Sequence, residues 1–216
     1  MQSWKEKLPG FEIVEWNESI IDIDEIAENN RFFKECKRRK LWAFMADYLR
    51  LKILYDYGGV YFDTDIQVLK DISRLLNRSI LLGYEKDYKG DMQIGTGVIG
   101  CEKGNSIIKT CLDFYDQRIW NVPFYTIPRV LDYVFKGHPE VEILPYYTLT
   151  PFAFNDTFDI SIVGDKTYTI HWFEGTWSSN LKVRTFLKTK HIHNPIKRAN
   201  SKALEIVKYY VQKTLK

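Results

Sequence analysis

In 216 residues, 45% of them hydrophobic and 15% aromatic, there is material for the core of one domain, or of one domain and a tail. No apolar run approaches the roughly 20 residues of a membrane-spanning helix, and the hydrophobic content excludes a disordered polymer. The net charge of +3 hides an uneven distribution: residues 181–216 carry ten Lys/Arg against one acidic residue, and residues 1–180 carry 21 against 27. Cys36, Cys101 and Cys111 are odd in number and lack zinc-type spacing, and Met1-Gln2-Ser3-Trp4-Lys5 does not open a secretory leader. A cytosolic protein with reduced thiols is therefore expected.

In chain order, Ser3 to Leu8 reads as a frayed helix end, and Pro9-Gly10 turns the chain into a strand over Phe11 to Trp16. Asp22 to Lys40 reads as one helix ending in Lys37-Arg38-Arg39-Lys40. A helix carboxyl terminus accounts for that basic cluster, with phosphate binding as the alternative. The next helix runs from Leu41 to Tyr57, free of Gly and Pro, with Ala43, Ala46, Ile53, Leu54 and Tyr57 near the helical period. Gly58-Gly59 stops it, because glycine enters the left-handed region without a steric penalty. Val60-Tyr61-Phe62 then forms a short strand that delivers Asp63-Thr64-Asp65 at its carboxyl end.

Beyond Asp65 the pattern predicts a strand over Ile66 to Leu69, a short helix near Asp71 to Leu76 and a strand over Ile80 to Tyr84. Gln93 to Gly100 reads as an apolar strand whose glycines mark close approach of backbone or ligand, and it lacks the spacing of a dinucleotide fingerprint. Asn105 to Trp120 reads as an outer helix. Five prolines from Pro123 to Pro151 then interrupt a Tyr- and Phe-rich region. Its aromatic faces suit sugar rings, or they merely pack. His171 lies on a predicted strand within Tyr168 to Trp177, where a lone histidine is more often structural. Near the end, Leu204, Val207, Tyr210, Val211 and Leu215 line one side of a helix, to pack on the body or to lie in a membrane interface.

Two carboxylates one residue apart are hard oxygen ligands suited to Mg²⁺ or Mn²⁺. Strand ends of open α/β sheets are also where ligands collect. A solvated acidic turn uses the same residues without chemistry. Asp47 and Arg50, three apart on the preceding helix, point the same way from a largely apolar segment. They read as a bracing ion pair or as part of a site.

The run Ala46-Asp47-Tyr48-Leu49-Arg50, then Leu54-Tyr55, then Tyr57-Gly58-Gly59-Val60-Tyr61-Phe62-Asp63-Thr64-Asp65 closely resembles the signature of the sugar-binding DXD glycosyltransferases of family 32. That family includes bacterial capsular-polysaccharide glycosyltransferases and fungal Golgi mannosyltransferases, and is more distantly similar to clostridial glucosylating toxins. The resemblance implies an α/β fold of the GT-A type, with a mixed sheet and flanking helices. It further implies a nucleotide-sugar donor carrying UDP or GDP, a divalent Mn²⁺ or Mg²⁺ ion and retention at the anomeric carbon. By the same resemblance Asp63 and Asp65 hold metal and diphosphate, Asp47 and Arg50 act in catalysis on the donor sugar or phosphate, and Gly59, Tyr61 and Thr64 line the donor. Gly95, Thr96 and Gly97 match a segment lining the donor-sugar side. His171 matches the family's closing histidine as a ligand or phosphate donor, and Thr176-Trp177 matches a segment closing over the donor.

Relatives begin with a further strand upstream of the position of Met1, so an edge of the donor site is missing from the resemblance. The organisation expected is a transferase domain over 1–180 and a basic, largely helical tail over 181–216. The expected setting is surface-polysaccharide synthesis on the cytoplasmic face of a membrane, with an oligosaccharide or lipid-linked acceptor and no nucleic acid. Two other classes fit parts of the pattern. Asp63 and Asp65 with Gly164-Asp165 imitate a phosphatase with an aspartyl nucleophile, although Gln67 and the Asp47/Arg50 pair do not suit it. A truncated, non-catalytic relative that binds sugar or a partner transferase is the other.

Overall fold

The computed structural model describes residues 1–174 and 181–214. Helix α1 (Gln2–Lys7) buries Trp4, whose indole N–H donates to the Ile66 carbonyl at 2.7 Å. The expected strand from Phe11 to Trp16 is an irregular extended segment without strand pairing. Phe11 and Ile13 pack against the core, and Trp16 lies against Tyr57 with ring centroids 4.7 Å apart. Side chains rather than a backbone ladder therefore anchor it.

The single helix expected over Asp22 to Lys40 is two, α2 (Ile23–Asn29) and α3 (Arg31–Arg38). Asn30 divides them at φ −126, ψ 115, and its side chain accepts from the Phe33 amide. An Asn that caps offers the backbone an alternative to continuing the turn. Three of the four cations at the end of α3 pair locally: Lys37 with Asp24, and Arg38 and Arg39 with Glu35.

Helix α4 (Trp42–Tyr57) buries Phe44, Met45, Tyr48, Leu51 and Leu54. The core stripe is thus offset from the one expected, and Tyr57 is exposed. Gly58 ends α4 at φ +71, where a Cβ would also stand 2.6 Å from the Lys103 amide nitrogen. Both the backbone angle and the space require glycine there.

Strand β1 (Gly59–Phe62) follows, then β2 (Ile66–Val68), β3 (Ile80–Leu81), β4 (Tyr84–Lys86), β5 (Met92–Ile94), β6 (Val98–Cys101) and β7 (Thr169–His171). The order β1-β6-β3 makes one antiparallel sheet, β2 pairs antiparallel with β7, and β4 with β5 forms a hairpin. A parallel bridge between Gly83 and Leu144 adds the mixed element. The short helix expected near Asp71 to Leu76 is a 3-10 turn at Ser73–Leu75. The expected strand from Gln93 to Gly100 breaks at Gly95–Gly97, which leaves the ladder to run beneath the site.

Helix α5 (Ser106–Asp113) passes into a π-helical turn at Phe114–Arg118, and α6 (Ile127–Phe135) and α7 (Tyr146–Leu149) follow. The main core lies among α3, α4, α5 and α6, with Phe32, Phe33, Leu51, Ile108 and Tyr115 fully buried. These helices flank the small sheets, so the expected α/β class is observed. In the basic segment, α8 (Leu181–Thr189) adds Phe186 and Leu187 to this core. Lys190 donates to the carbonyls of Ile119, Val122 and Phe124. The last helix, α9 (Pro195–Thr214), leaves Leu204, Val207, Tyr210 and Val211 at least half exposed, where packing on the body would have buried them. Leu215 lies outside the described residues.

Candidate active site

Strand β1 ends where β6 begins, Phe62 opposite Val98, and the Asp63 amide donates to the Gly97 carbonyl at 2.8 Å. Asp63-Thr64-Asp65 is thereby fixed between the two sheets, with Ile66 already in β2. Helix α4 supplies the brace from below. Arg50 Nη1 lies 3.2 Å from both Asp63 carboxylate oxygens and donates to the Thr96 carbonyl at 2.7 Å. Arg50 Nη2 is 3.3 Å from Asp47 Oδ1. The Tyr61 hydroxyl donates to Asp63 Oδ1 at 2.7 Å, and the guanidinium carbon lies 4.6 Å from the Tyr61 ring centre.

Asp47 is 1% exposed and Arg50 5%, against 24% for the Asp63 side chain. Burial pushes the Asp47 carboxyl up to about 7, with Arg50 pulling the other way. Burial disfavours the Arg50 charge, but Tyr61, Asp63 and Asp47 together more than offset it. The pair that the resemblance placed on the donor thus faces the protein interior. Its visible contacts position Asp63, directly through Arg50.

The opposite wall comes from β7. Pairing of Ile66 with His171 sets the imidazole beside Asp65, with Nε2 3.3 Å from Asp65 Oδ1. The Trp172 amide donates to the Asp65 carbonyl, and the Glu174 amide donates to Asp65 Oδ2 at 2.9 Å. Burial works against the Asp65 charge, but His171 and the Glu174 amide hold its carboxyl below the usual value. Phe173 takes a left-handed φ of 54 and stacks on His171, with ring centroids 4.1 Å apart. Such strain in a non-glycine residue persists where surrounding contacts over-determine it.

Gly95, Thr96 and Gly97 form the floor. A Cβ at Gly97 would lie 3.0 Å from His171 Nδ1, and one at Gly95 would lie 3.2 Å from Glu85 Oε2. Thr96 is buried and gives its carbonyl to Arg50. The glycines accordingly make room for side chains of this chain. Glu85 was not anticipated. It is 7% exposed, its Oε2 lies 4.0 Å from His171 Nδ1, and Gln93 Nε2 donates to its Oε1 at 2.9 Å. Burial pushes its carboxyl up to about 7, with His171 and Gln93 partly offsetting. The signal available was a glutamate at an inward position of a short strand, opposite an inward Gln93.

Ligand atoms of Asp63, Asp65 and His171 lie within 4.8 Å of one another, each residue half-buried. Two carboxylates and an imidazole are a donor set that fits a divalent Mn²⁺ or Mg²⁺ ion. Gly59 (φ +97) is exposed at the α4–β1 junction, and Thr64 stands between the two carboxylates. Thr176 and Trp177 lie outside the described residues. The Gly164-Asp165 segment of the phosphatase reading is not in the cluster: Asp165 is exposed, and its carbonyl accepts from Lys70.

Beside the cluster is a cavity of about 580 Å³ lined by Lys86, Tyr146, Tyr147, Phe152, Asn155 and Asp156. Phe152 meets Phe173 at 5.7 Å between ring centres, and Phe173 in turn stacks on His171. A second cavity, of about 550 Å³, lies on the other side of the β4–β5 hairpin, lined by Tyr84, Met92 and Ile94, whereas Glu85 and Gln93 face the site.

Comparison with known proteins gives this arrangement a context. Rat lactosylceramide 4-alpha-galactosyltransferase is 28% identical over 126 residues, covering 54% of this chain and 32% of the relative. The mouse enzyme is 28% identical over 136 residues, covering 57% and 34%. An uncharacterized protein of Arabidopsis thaliana is 37% identical over 70 residues, 32% of this chain and 10% of that protein. The chain therefore spans about a third of the length of the galactosyltransferases it matches. Among solved structures, the PaToxG glycosyltransferase overlays 56% of this chain and 46% of its own, with a TM-score of 0.40 and 21% identity. Residues 1–82, with Asp63 and Asp65 among them, match the family described as the glycosyltransferase sugar-binding region containing DXD motif.

Proposed function

We propose that this chain moves a sugar from a nucleoside-diphosphate donor to a hydroxyl acceptor, with a Mn²⁺ or Mg²⁺ ion held by Asp63, Asp65 and His171. The observation that carries this reading is the convergence of those three side chains within 4.8 Å at the end of β1, inside the matched DXD region for the two aspartates. When bound, the ion would supply positive charge to the departing diphosphate.

The chain's own residues do the positioning. Arg50 and Tyr61 hold the Asp63 carboxylate, and His171 and the Glu174 amide hold that of Asp65. Pre-set charges of this kind need no reorganisation as the bond breaks. The acceptor enters through the cavity of Tyr146, Tyr147 and Phe152, whose rings offer faces for a sugar and whose Lys86 and Asn155 offer donors. The names of the rat and mouse relatives favour a lipid-borne glycan as acceptor over a capsular chain. Transfer with retention, as the resemblance implies, lets the leaving phosphate take the acceptor proton, so a protein base is not required.

Calorimetry with a panel of UDP- and GDP-sugars, with and without Mn²⁺, tests this. Metal-dependent binding by the wild type is expected. Asp65→Ala should lose it, together with about a thousandfold in turnover. Wild-type turnover by Asp65→Ala would overturn the assignment.

A further inference from the structure

Glu85 is a buried carboxylate that the proposed reaction does not use. Strand alternation in β4 turns Glu85 inward while Tyr84 lies on the other side, in the wall of the second cavity. Gln93, directly opposite in β5, holds Glu85 Oε1, which leaves Oε2 facing the imidazole. The absence of a Cβ at Gly95 and at Gly97 lets both groups come this close. On the far side of the ring, Nε2 faces Asp65, and Phe173 covers one ring face. Among the described residues, His171 Nδ1 is buried without a hydrogen-bond partner at the present spacing. A shift of about 1 Å brings it within hydrogen-bond reach of Glu85 Oε2.

We infer that Glu85 is a positioning residue: with a cation on the Asp63–Asp65 pair, so that Asp65 no longer takes the Nε2 proton, Glu85 Oε2 accepts a proton from His171 Nδ1 and so presents the unprotonated Nε2 toward that pair. Histidines that bind metals commonly donate their other ring N–H to a carboxylate, which sets tautomer and orientation. A buried carboxylate kept only for packing would be costly beside an apolar residue of similar size. The inference rests on the metal reading above, and ion binding by the wild type is measured separately from the tautomer.

The test uses the full chain with ¹⁵N-labelled histidine at pH 8, in which the His171 ring signals among the four histidines are identified by their loss in His171→Gln. The ligand-free wild type should show the Nε2–H tautomer that faces Asp65 Oδ1 at 3.3 Å, and saturation with diamagnetic Mg²⁺ should convert it to Nδ1–H. Glu85→Gln keeps the shape and the Gln93 contact, but it turns an amide donor toward Nδ1 and should keep the Nε2–H form when Mg²⁺ is added. Glu85→Leu, which has no acceptor, should also lose the Nδ1–H form. Mn²⁺ affinity by calorimetry should fall about 10- to 100-fold in either variant, with melting temperature unchanged or raised. With Mg²⁺ bound, an Nδ1–H form that persists in both variants overturns the inference. A wild type that binds neither Mg²⁺ nor Mn²⁺ removes the metal reading, whereas a wild type that binds the ion with His171 still in the Nε2–H form removes only the role of Glu85.

Discussion

Asp63 and Asp65 stand one residue apart, yet opposite regions of the chain hold them. Asp63 is gripped by Arg50 and Tyr61, no more than 13 positions away, on the helix and strand that lead into it. Asp65 is gripped by His171 and Glu174, over 100 positions downstream, through the pairing of β2 with β7. The first grip is a local brace and is largely buried. The second is long-range and half-open, and it assembles only when the two ends of the fold meet. A carboxylate pair that looks symmetric in sequence therefore has one partner fixed by a helix and one fixed by topology.

Cutting the local brace should have the largest effect. Arg50→Met leaves Asp47 buried without its partner and should cost about 3–5 kcal/mol of stability by chemical denaturation. A loss below about 1 kcal/mol would mean that the brace is not what holds Asp63. The long-range grip can be disturbed more gently. Gly97→Ala puts a Cβ 3.0 Å from His171 Nδ1 and 3.1 Å from Ile66 Cδ1, so the ring must yield by a few tenths of an ångström. Mn²⁺ affinity should fall about tenfold with a stability loss of about 1 kcal/mol. Unchanged affinity with a large stability loss would reverse the assignment of this side to binding.

The last effect is a slope, seen only when pH is varied. The Asp47 carboxyl keeps its proton up to about pH 7 in the folded chain, against an ordinary value of 3.8. The native state binds more protons between those values, so stability contributed by this group falls as pH rises from 4 to 7. In ligand-free protein, Asp47→Asn should flatten the decline between pH 5 and 7. Identical slopes for variant and wild type would place the titration elsewhere.

Local signals carried much of the site. The helix without Gly or Pro, the Gly58-Gly59 stop and the strand ending in Asp63-Thr64-Asp65 are each decided by propensity and by φ, and all three are observed. Where a polar side chain offers the backbone an alternative, local pattern misled: Asn30 caps a new helix within what reads as one continuous run. The strand expected at Phe11 to Trp16 failed for a different reason. Its alternation is genuine, but side-chain packing consumed it, and whether a neighbouring strand is present is not written in the segment itself.

The sequence alone determined that two carboxylates arrive together behind a glycine-stopped helix, because 3.6-residue periodicity, strand propensity and glycine's freedom act over a few residues. Only the tertiary structure decided how the groups around those carboxylates meet. Glu85 and His171 meet because β4–β5 and β7 converge on Gly95–Gly97, and Asp47 and Arg50 turn inward because α4 packs that face against the core. Those outcomes depend on contacts between segments tens to more than a hundred residues apart. They are set by burial and register in the assembled fold, to which no local window has access.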